Sequence, residues 1–315
     1  MSGHDDSRTP AWMQRKERGS LFWLRFMQRL SLLAGRPATR PIVYCIALYF
    51  LCAVAPARAA LRGYLPRVLG RPAGWRDLYR HILSFASTIH DRTFLVADRF
   101  DAFSIRNVGV EAIHERHARD GGFLLFGAHL GSFEVMRSQA RQRPDLKVCM
   151  AMFPDNAQHI NAALAALNPA AMANLIPLGR LDSMLMVHNR LQEGSMVGIL
   201  ADRASGEDAS FETLDFLGSP AHFPTGPFRM AAMLRQPLYF MAGLYKGGNR
   251  YELVFEPIAD FSEVGPKTRD AAIRAAVTSY ARTLERHCRA APYNWFNFYD
   301  FWESARADAV PTSAP

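Results

Sequence analysis

The chain predicts an α/β fold: a mixed, largely parallel sheet covered by helices on both faces, preceded by an N-terminal, membrane-associated helical segment. Three observations lead there. From residue 122 onward, short apolar runs alternate with stretches of helical periodicity. Several of those runs are continuously apolar, as strands buried on both faces are. The positive charge is gathered ahead of them, with fourteen Lys and Arg against four Asp and Glu in the first 80 residues of a chain whose net charge is +8. At 315 residues and 49% hydrophobic content, the chain can bury a substantial core.

The leading segment, residues 1–70, reads as basic and membrane-proximal. Residues 41–57 (PIVYCIALYFLCAVAPA) are uncharged between Arg40 and Arg58. As a helix they would reach about 25 Å, short of a hydrocarbon core of roughly 30 Å, so a full span is marginal. Residues 21–30 (LFWLRFMQRL) set Phe22, Phe26 and Leu30 on one side and Arg25 and Arg29 on another, the pattern of an interfacial helix whose arginines meet lipid phosphates. The competing reading is a pair of ordinary core helices. The arginine cluster favours the cytoplasmic face of a membrane.

Residues 71–304 form the expected main domain, and 305–315 a tail. Residues 75–99 read as a helix with Leu78, Ile82, Phe85 and Ile89 at core spacing. Strands are expected at 122–126, 148–153, 174–178, 196–200, 211–216, 238–245 and 251–255, with helices at 133–142, 158–167, 181–191, 226–234 and 268–290. Gly247, Gly248 and Asn249 make a hairpin turn between the last two strands.

The segment richest in chemistry is 122–134 (GFLLFGAHLGSFE). A buried-type strand ends in glycine, His129 follows, and Ser132 suits the first position of a helix. Glu134 stands five residues after His129. A bend between them would let the carboxylate hold one ring nitrogen and leave the other to take a proton from a hydroxyl, a general base with its orienter. Taken alone, an H-x4-E pair is more often a structural hydrogen bond; its place at the carboxyl end of a strand is what favours catalysis.

Two other strand ends carry charge. Asp202 and Arg203 follow the apolar run of 196–200 and can bind a phosphate or steady an oxyanion, or else cap the strand as an ion pair. Arg180 follows 176–179 (IPLG) and can hold the anionic part of a substrate, or be a plain surface arginine. His114 and His117 lack a third ligand at suitable spacing and read as a polar turn. The four cysteines contain no C-x2-C pair, so neither a zinc site nor a disulfide framework is expected. Residues 216–229 are dense in Gly and Pro and read as a loop at a pocket mouth, with His222 a weak polar candidate. Residues 291–302 pack seven aromatics into twelve positions without basic interleaving, which suits a core or a lipid contact better than nucleic acid. There is no G-x-S-x-G, P-loop or dinucleotide fingerprint, so serine hydrolysis, nucleotide hydrolysis and hydride transfer lack support.

The H-x4-E at His129 and Glu134, Asp202-Arg203 at a strand end, and F-L-G-x-P-A-x-F-P-x-G-P from Phe216 to Pro227 together resemble the bacterial lipid A late acyltransferase branch of the lysophospholipid acyltransferase superfamily. E-R-G-S at Glu17, D-R-T-F at Asp91 and the closing P-Y-N-W-F-N-F-Y-D-F-W resemble the predicted members of that branch linked to aryl polyene and glycolipid pathways. The resemblance covers most of the chain and implies a glycerolipid acyltransferase-like fold. It also implies a fatty acyl group carried as a thioester on acyl carrier protein or coenzyme A to a hydroxyl or amine of a lipid or glycolipid, with no cofactor or metal. His129 would be the base and Glu134 its partner, with Arg180, Asp202, Arg203 and Ser132 binding substrate, at the cytoplasmic face of a bacterial inner membrane. The letters at Asp202-Arg203 differ from the E-G-T-R of the glycerolipid enzymes, which argues against a simple glycerol phosphate acceptor. The rival readings are a non-catalytic acyl-lipid binder or scaffold of the same fold, and a thioesterase.

Overall fold

The computed structural model describes residues 21–143, 146–153, 162, 166–168, 174–180, 182–203, 210–303 and 305–306. Among the described residues seven strands form one sheet: β1 (Ser104–Val108), β2 (Leu124–Gly127), β3 (Val148–Met152), β4 (Leu175–Pro177), β5 (Met196–Leu200), β8 (Pro237–Tyr245) and β9 (Arg250–Asp260). Their order is β1-β9-β8-β2-β5-β3-β4. Every neighbouring pair is parallel except β8 with β9, which the 246–249 turn joins as the expected hairpin. Five strands therefore end on one side of the sheet, at the edge where open α/β folds place their sites.

The centre of the sheet is apolar on both faces, as β2 illustrates. Leu124 and Phe126 join a core with Val197, Phe240 and Tyr280. Phe123 and Leu125 point the other way, with Phe133, Met136 and Met241. Period-two alternation that buries both sets requires helices above and below. One layer contains α5 (Val110–Asp120) and α6 (Phe133–Arg141); the other contains α7 (Ser183–Gln192), α8 (Gly226–Met233) and α9 (Arg269–Ala290).

Several expectations shift. α4 (Trp75–Val96) stops short of residue 99 because Asp98 turns to φ 56°. His114 and His117, which read as a polar turn, lie instead on α5; His117 Nε2 lies 2.8 Å from the Gly194 carbonyl oxygen. β1 escaped notice because an edge strand reading SIRNV carries little apolar pattern. The stretch read as a Gly/Pro loop folds back as β7 (Ser219–Pro224) on β6 (Phe211–Phe216), a separate two-stranded ribbon. Leu217 and Gly218, at φ 53° and 79°, make the two-residue turn that a twisted hairpin favours. The helix expected at 158–167 lies largely outside the described residues.

The N-terminal helices α1 (Leu21–Ala34), α2 (Arg36–Ala53) and α3 (Ala55–Leu69) precede α4. No single described helix is long and apolar enough to cross a membrane; α2 and α3 meet that test only as a pair bent by 92°. α2 turns Val43, Ala47 and Leu51 inward at i, i+4 and i+8, while Tyr44, Leu48 and Tyr49 remain exposed. A buried clamp holds α2 on the body. Arg36 makes a bidentate pair with Asp91 (Nε to Oδ1 2.7 Å, Nη2 to Oδ2 3.0 Å), and the Tyr251 hydroxyl donates to the same carboxylate at 2.8 Å. The aspartate of the D-R-T-F run thus anchors the N-terminal helices to α4 and β9.

Candidate active site

β2 and β5 lie side by side, and the residues just past their carboxyl ends meet. His129 follows β2 by two positions and Asp202 follows β5 by two. The His129 Nδ1 lies 2.8 Å from Asp202 Oδ1, and the His129 backbone N–H donates to Oδ2 at 3.0 Å. The indole N–H of Trp295 donates to Oδ2 at 3.0 Å, and the Asn297 amide reaches the same oxygen at 3.5 Å. Asp202 is fully buried, whereas the His129 ring keeps 29% exposure. A carboxylate surrounded by donors holds the Nδ1–H tautomer, so Nε2 carries the free lone pair.

The loop bearing His129 is fixed from both sides. Phe296 N–H donates to the His129 carbonyl at 2.7 Å, and Gly131 N–H donates to the Asn294 carbonyl at 2.8 Å. Gly131 sits at φ 74°, where a Cβ would stand 2.1 Å from the Gly243 carbonyl oxygen. Only glycine fits that approach. Ser132 does precede α6 as expected, but it is buried, its N–H donates to Gly243, and its side chain makes no capping bond.

Glu134 is not the partner of His129, contrary to the reading of the H-x4-E spacing. Its side chain lies on α6 among residues at i+3 and i+7: Oε2 accepts from Arg137 Nη1 at 3.0 Å and Oε1 from Arg141 Nη1 at 2.9 Å. The helix begins at Phe133 and turns this face towards α4 and the Leu95 carbonyl, which Arg141 also reaches. The acid that occupies the imidazole comes instead from the neighbouring strand.

Arg203 reaches into the closing aromatic segment. Its Nε donates to Asn297 Oδ1 at 2.8 Å, its Nη2 to the Phe296 carbonyl at 3.1 Å, and its guanidinium lies 5.2 Å from the Tyr299 ring centre. It braces the same segment that supplies Trp295 and Asn297 to Asp202. Arg180 stands apart, past the end of edge strand β4, with 64% exposure and an ion pair to Asp182 at 3.1 Å. Three strand spacings separate β4 from β2 by way of β3 and β5, or about 14 Å. His222 stacks on Phe211 in the β6–β7 ribbon, 5.3 Å between ring centres. Among the described residues, no group of three or more His, Cys, Asp or Glu could hold a metal ion.

The electrostatics separate the two central groups. Burial pushes the Asp202 carboxyl up, but the facing imidazole, its hydrogen bonds and the Arg203 cation outweigh that and hold it well below the usual carboxylate range. Burial lowers the His129 pKa and Arg203 lowers it further, against the opposing pull of Asp202. At neutral pH the pair is therefore an ionised acid holding a neutral imidazole, whose Nε2 is able to accept a proton.

The sequence points Asp202 at substrate contact; that it meets His129 instead depends on strand order, which a linear reading lacks. Trp295 and Asn297 were missed because the aromatic density of N-W-F-N masked its polar members. The signal available was two asparagines within a run otherwise built for a core. In comparisons with known proteins, the family model described as bacterial lipid A biosynthesis acyltransferase matches residues 75–304. A search of curated proteins finds no significant match.

Proposed function

Since the chain belongs to the bacterial lipid A biosynthesis acyltransferase family, we propose that it moves a fatty acyl group from a thioester donor, acyl carrier protein or coenzyme A, to a hydroxyl or amine of a lipid or glycolipid at a membrane surface. The observation that carries this reading is the His129–Asp202 pair at the carboxyl ends of two adjacent strands. Nε2 of His129 takes the proton of the acceptor hydroxyl as its oxygen attacks the thioester carbonyl carbon. The tetrahedral oxyanion then collapses, the carbon–sulfur bond breaks, and the imidazolium returns the proton to the departing thiolate. Asp202 steadies the imidazolium between these steps, in the place the sequence motif would give to Glu134.

Two features support action at a membrane; the cytoplasmic face of an inner membrane is the proposed location. Phe22, Trp23, Phe26 and Leu33 of α1 are exposed, as are Tyr44, Leu48 and Tyr49 of α2. Arg25 and Arg29 add the charge that anionic headgroups attract. Arg180 and Arg203 are proposed to serve the anionic parts of donor or acceptor, Arg203 from beside the base and Arg180 from a more distant rim.

The test is transfer of labelled acyl chains from acyl carrier protein or coenzyme A into a membrane lipid extract, beside a His129→Ala control of equal folded content. Labelled lipid that disappears in the control, by a factor of about 10² or more, supports the enzyme. Equal labelling in both proteins, or none with any donor, favours a binder. Free fatty acid without labelled lipid makes it a thioesterase.

A further inference from the structure

A second feature lies at the same end of the sheet. A cavity of about 430 Å³, the size of a small-ligand site, opens between α2, α4, the β8–β9 turn and the chain that follows α9. Arg40, Tyr44, Arg80, Tyr245, Lys246 and Tyr293 are among the residues that line it, and among the described residues no acidic side chain does. Three cations from three separate elements thus face one hollow.

Their existing partners leave capacity for an anion. Arg40 donates to the Tyr245 hydroxyl, while among the described residues its buried Nη1 has no hydrogen-bond partner. The Arg80 guanidinium lies over the Tyr293 ring, 4.6 Å from its centre, a contact that leaves its N–H edge available. Lys246 is exposed, 3.7 Å from Glu252. Arg80 and Lys246 are exposed, so water meets their donors; the buried Nη1 of Arg40 is the donor whose unmet bond is costly and that an entering anion would satisfy.

The cavity adjoins both the proposed chemistry and an apolar surface. Asn294 forms part of its wall, exchanges two hydrogen bonds with the Tyr245 backbone, and accepts from Gly131 N–H. Gly131 is two residues from His129, about 7 Å of extended chain. On the other side, Arg40, Tyr44 and Leu48 follow one another at four-residue spacing on α2. Tyr44 lines the cavity and remains 43% exposed; Leu48 is 53% exposed beyond it. A ligand with its charge in the hollow would lay apolar chains along that stripe. A free phosphate would make no use of the stripe.

We propose that this cavity binds the phosphate-bearing headgroup of an anionic lipid and holds it beside His129. The assignment rests on the acyl-transfer reading only for its purpose; the binding itself is separable. Dihexanoyl phosphatidic acid, which dissolves without a bilayer, is titrated calorimetrically into the full chain against dihexanoyl phosphatidylcholine and inorganic phosphate. Saturable binding of the phosphatidic acid is expected, weakened about tenfold or more in Arg80→Glu/Lys246→Glu. Should that variant fail to fold, Arg80→Gln/Lys246→Gln takes its place. Equal affinity for phosphatidylcholine, equal affinity for inorganic phosphate, unchanged binding in the variants, or no binding at all overturns the proposal. In the transfer assay the variants should raise the acceptor KM with little change in kcat. If wild type binds the lipid but transfers nothing, the acyl-transfer reading fails and the headgroup site stands.

Discussion

Asp202 and His129 are 73 residues apart in the chain and 2.8 Å apart in the structure. Glu134 is five residues from His129 and is bound to two arginines instead. This exchange of partners separates two roles that the H-x4-E motif would assign to one acid.

Asp202→Asn and Glu134→Gln should therefore fail differently. The first removes the anion that steadies an imidazolium, so kcat should drop by about 10²- to 10⁴-fold. The second leaves Arg137 and Arg141 facing a neutral amide in a site where Glu134 is 1% exposed, and should cost about 3 kcal/mol of stability. Acyl transfer per folded molecule and urea melts of both variants distinguish the two. A Glu134→Gln protein of native stability whose kcat collapses as far as that of Asp202→Asn would return the orienting role to Glu134.

Because burial and Arg203 both lower the His129 pKa, the ring is neutral at a pH where an ordinary histidine is half protonated. The rising limb of kcat/KM against pH should lie below about 6.5. Arg203→Gln removes a nearby cation and should move that limb to higher pH, while Asp202→Asn removes the anion and should move it lower. Ring-proton NMR titration of His129 in the three proteins measures the order directly. Coincident titrations would mean that neither neighbour tunes the base.

The Arg36–Asp91 clamp should matter more than its place near the start of the chain suggests. Asp91 is fully buried, and removing one partner of a buried pair costs about 3–5 kcal/mol. Arg36→Ala should approach that loss and speed amide hydrogen exchange along α2. Arg36→Lys should recover only part of it, because an ammonium cannot match both carboxylate oxygens in a planar fork. Denaturant melts with unchanged midpoints would show that α2 is held elsewhere.

His81 makes the fold acid-sensitive. It is fully buried among Tyr64, Phe296 and Phe298, and burial brings its pKa down to about 3, against a small opposing contribution from the Pro292 backbone. The unfolded chain takes up a proton near pH 6.5 that the folded protein refuses. Stability is therefore fully present above that pH and falls as pH drops, by about 2 kcal/mol at pH 5 from this group. Replacing His81 with Leu should flatten the slope of unfolding free energy between pH 7 and 5. An unaltered slope would assign the acid sensitivity to other groups.

Local pattern alone located β5 at 196–200 and β6 at 211–216, and placed His129 at a strand end. Short apolar runs and strand-ending glycines report burial and turns directly, so those features depend only on neighbours in the chain. The identity of the acid on His129 depends on β5 inserting between β2 and β3, a choice among strand orders that leaves no trace in spacing. The same holds for Trp295 and Asn297, which reach Asp202 only because the segment after α9 pairs with the loop beyond β2. Composition decided which residues could do chemistry; packing decided which of them touch, because hydrogen bonds act over about 3 Å and sequence distance says little about that.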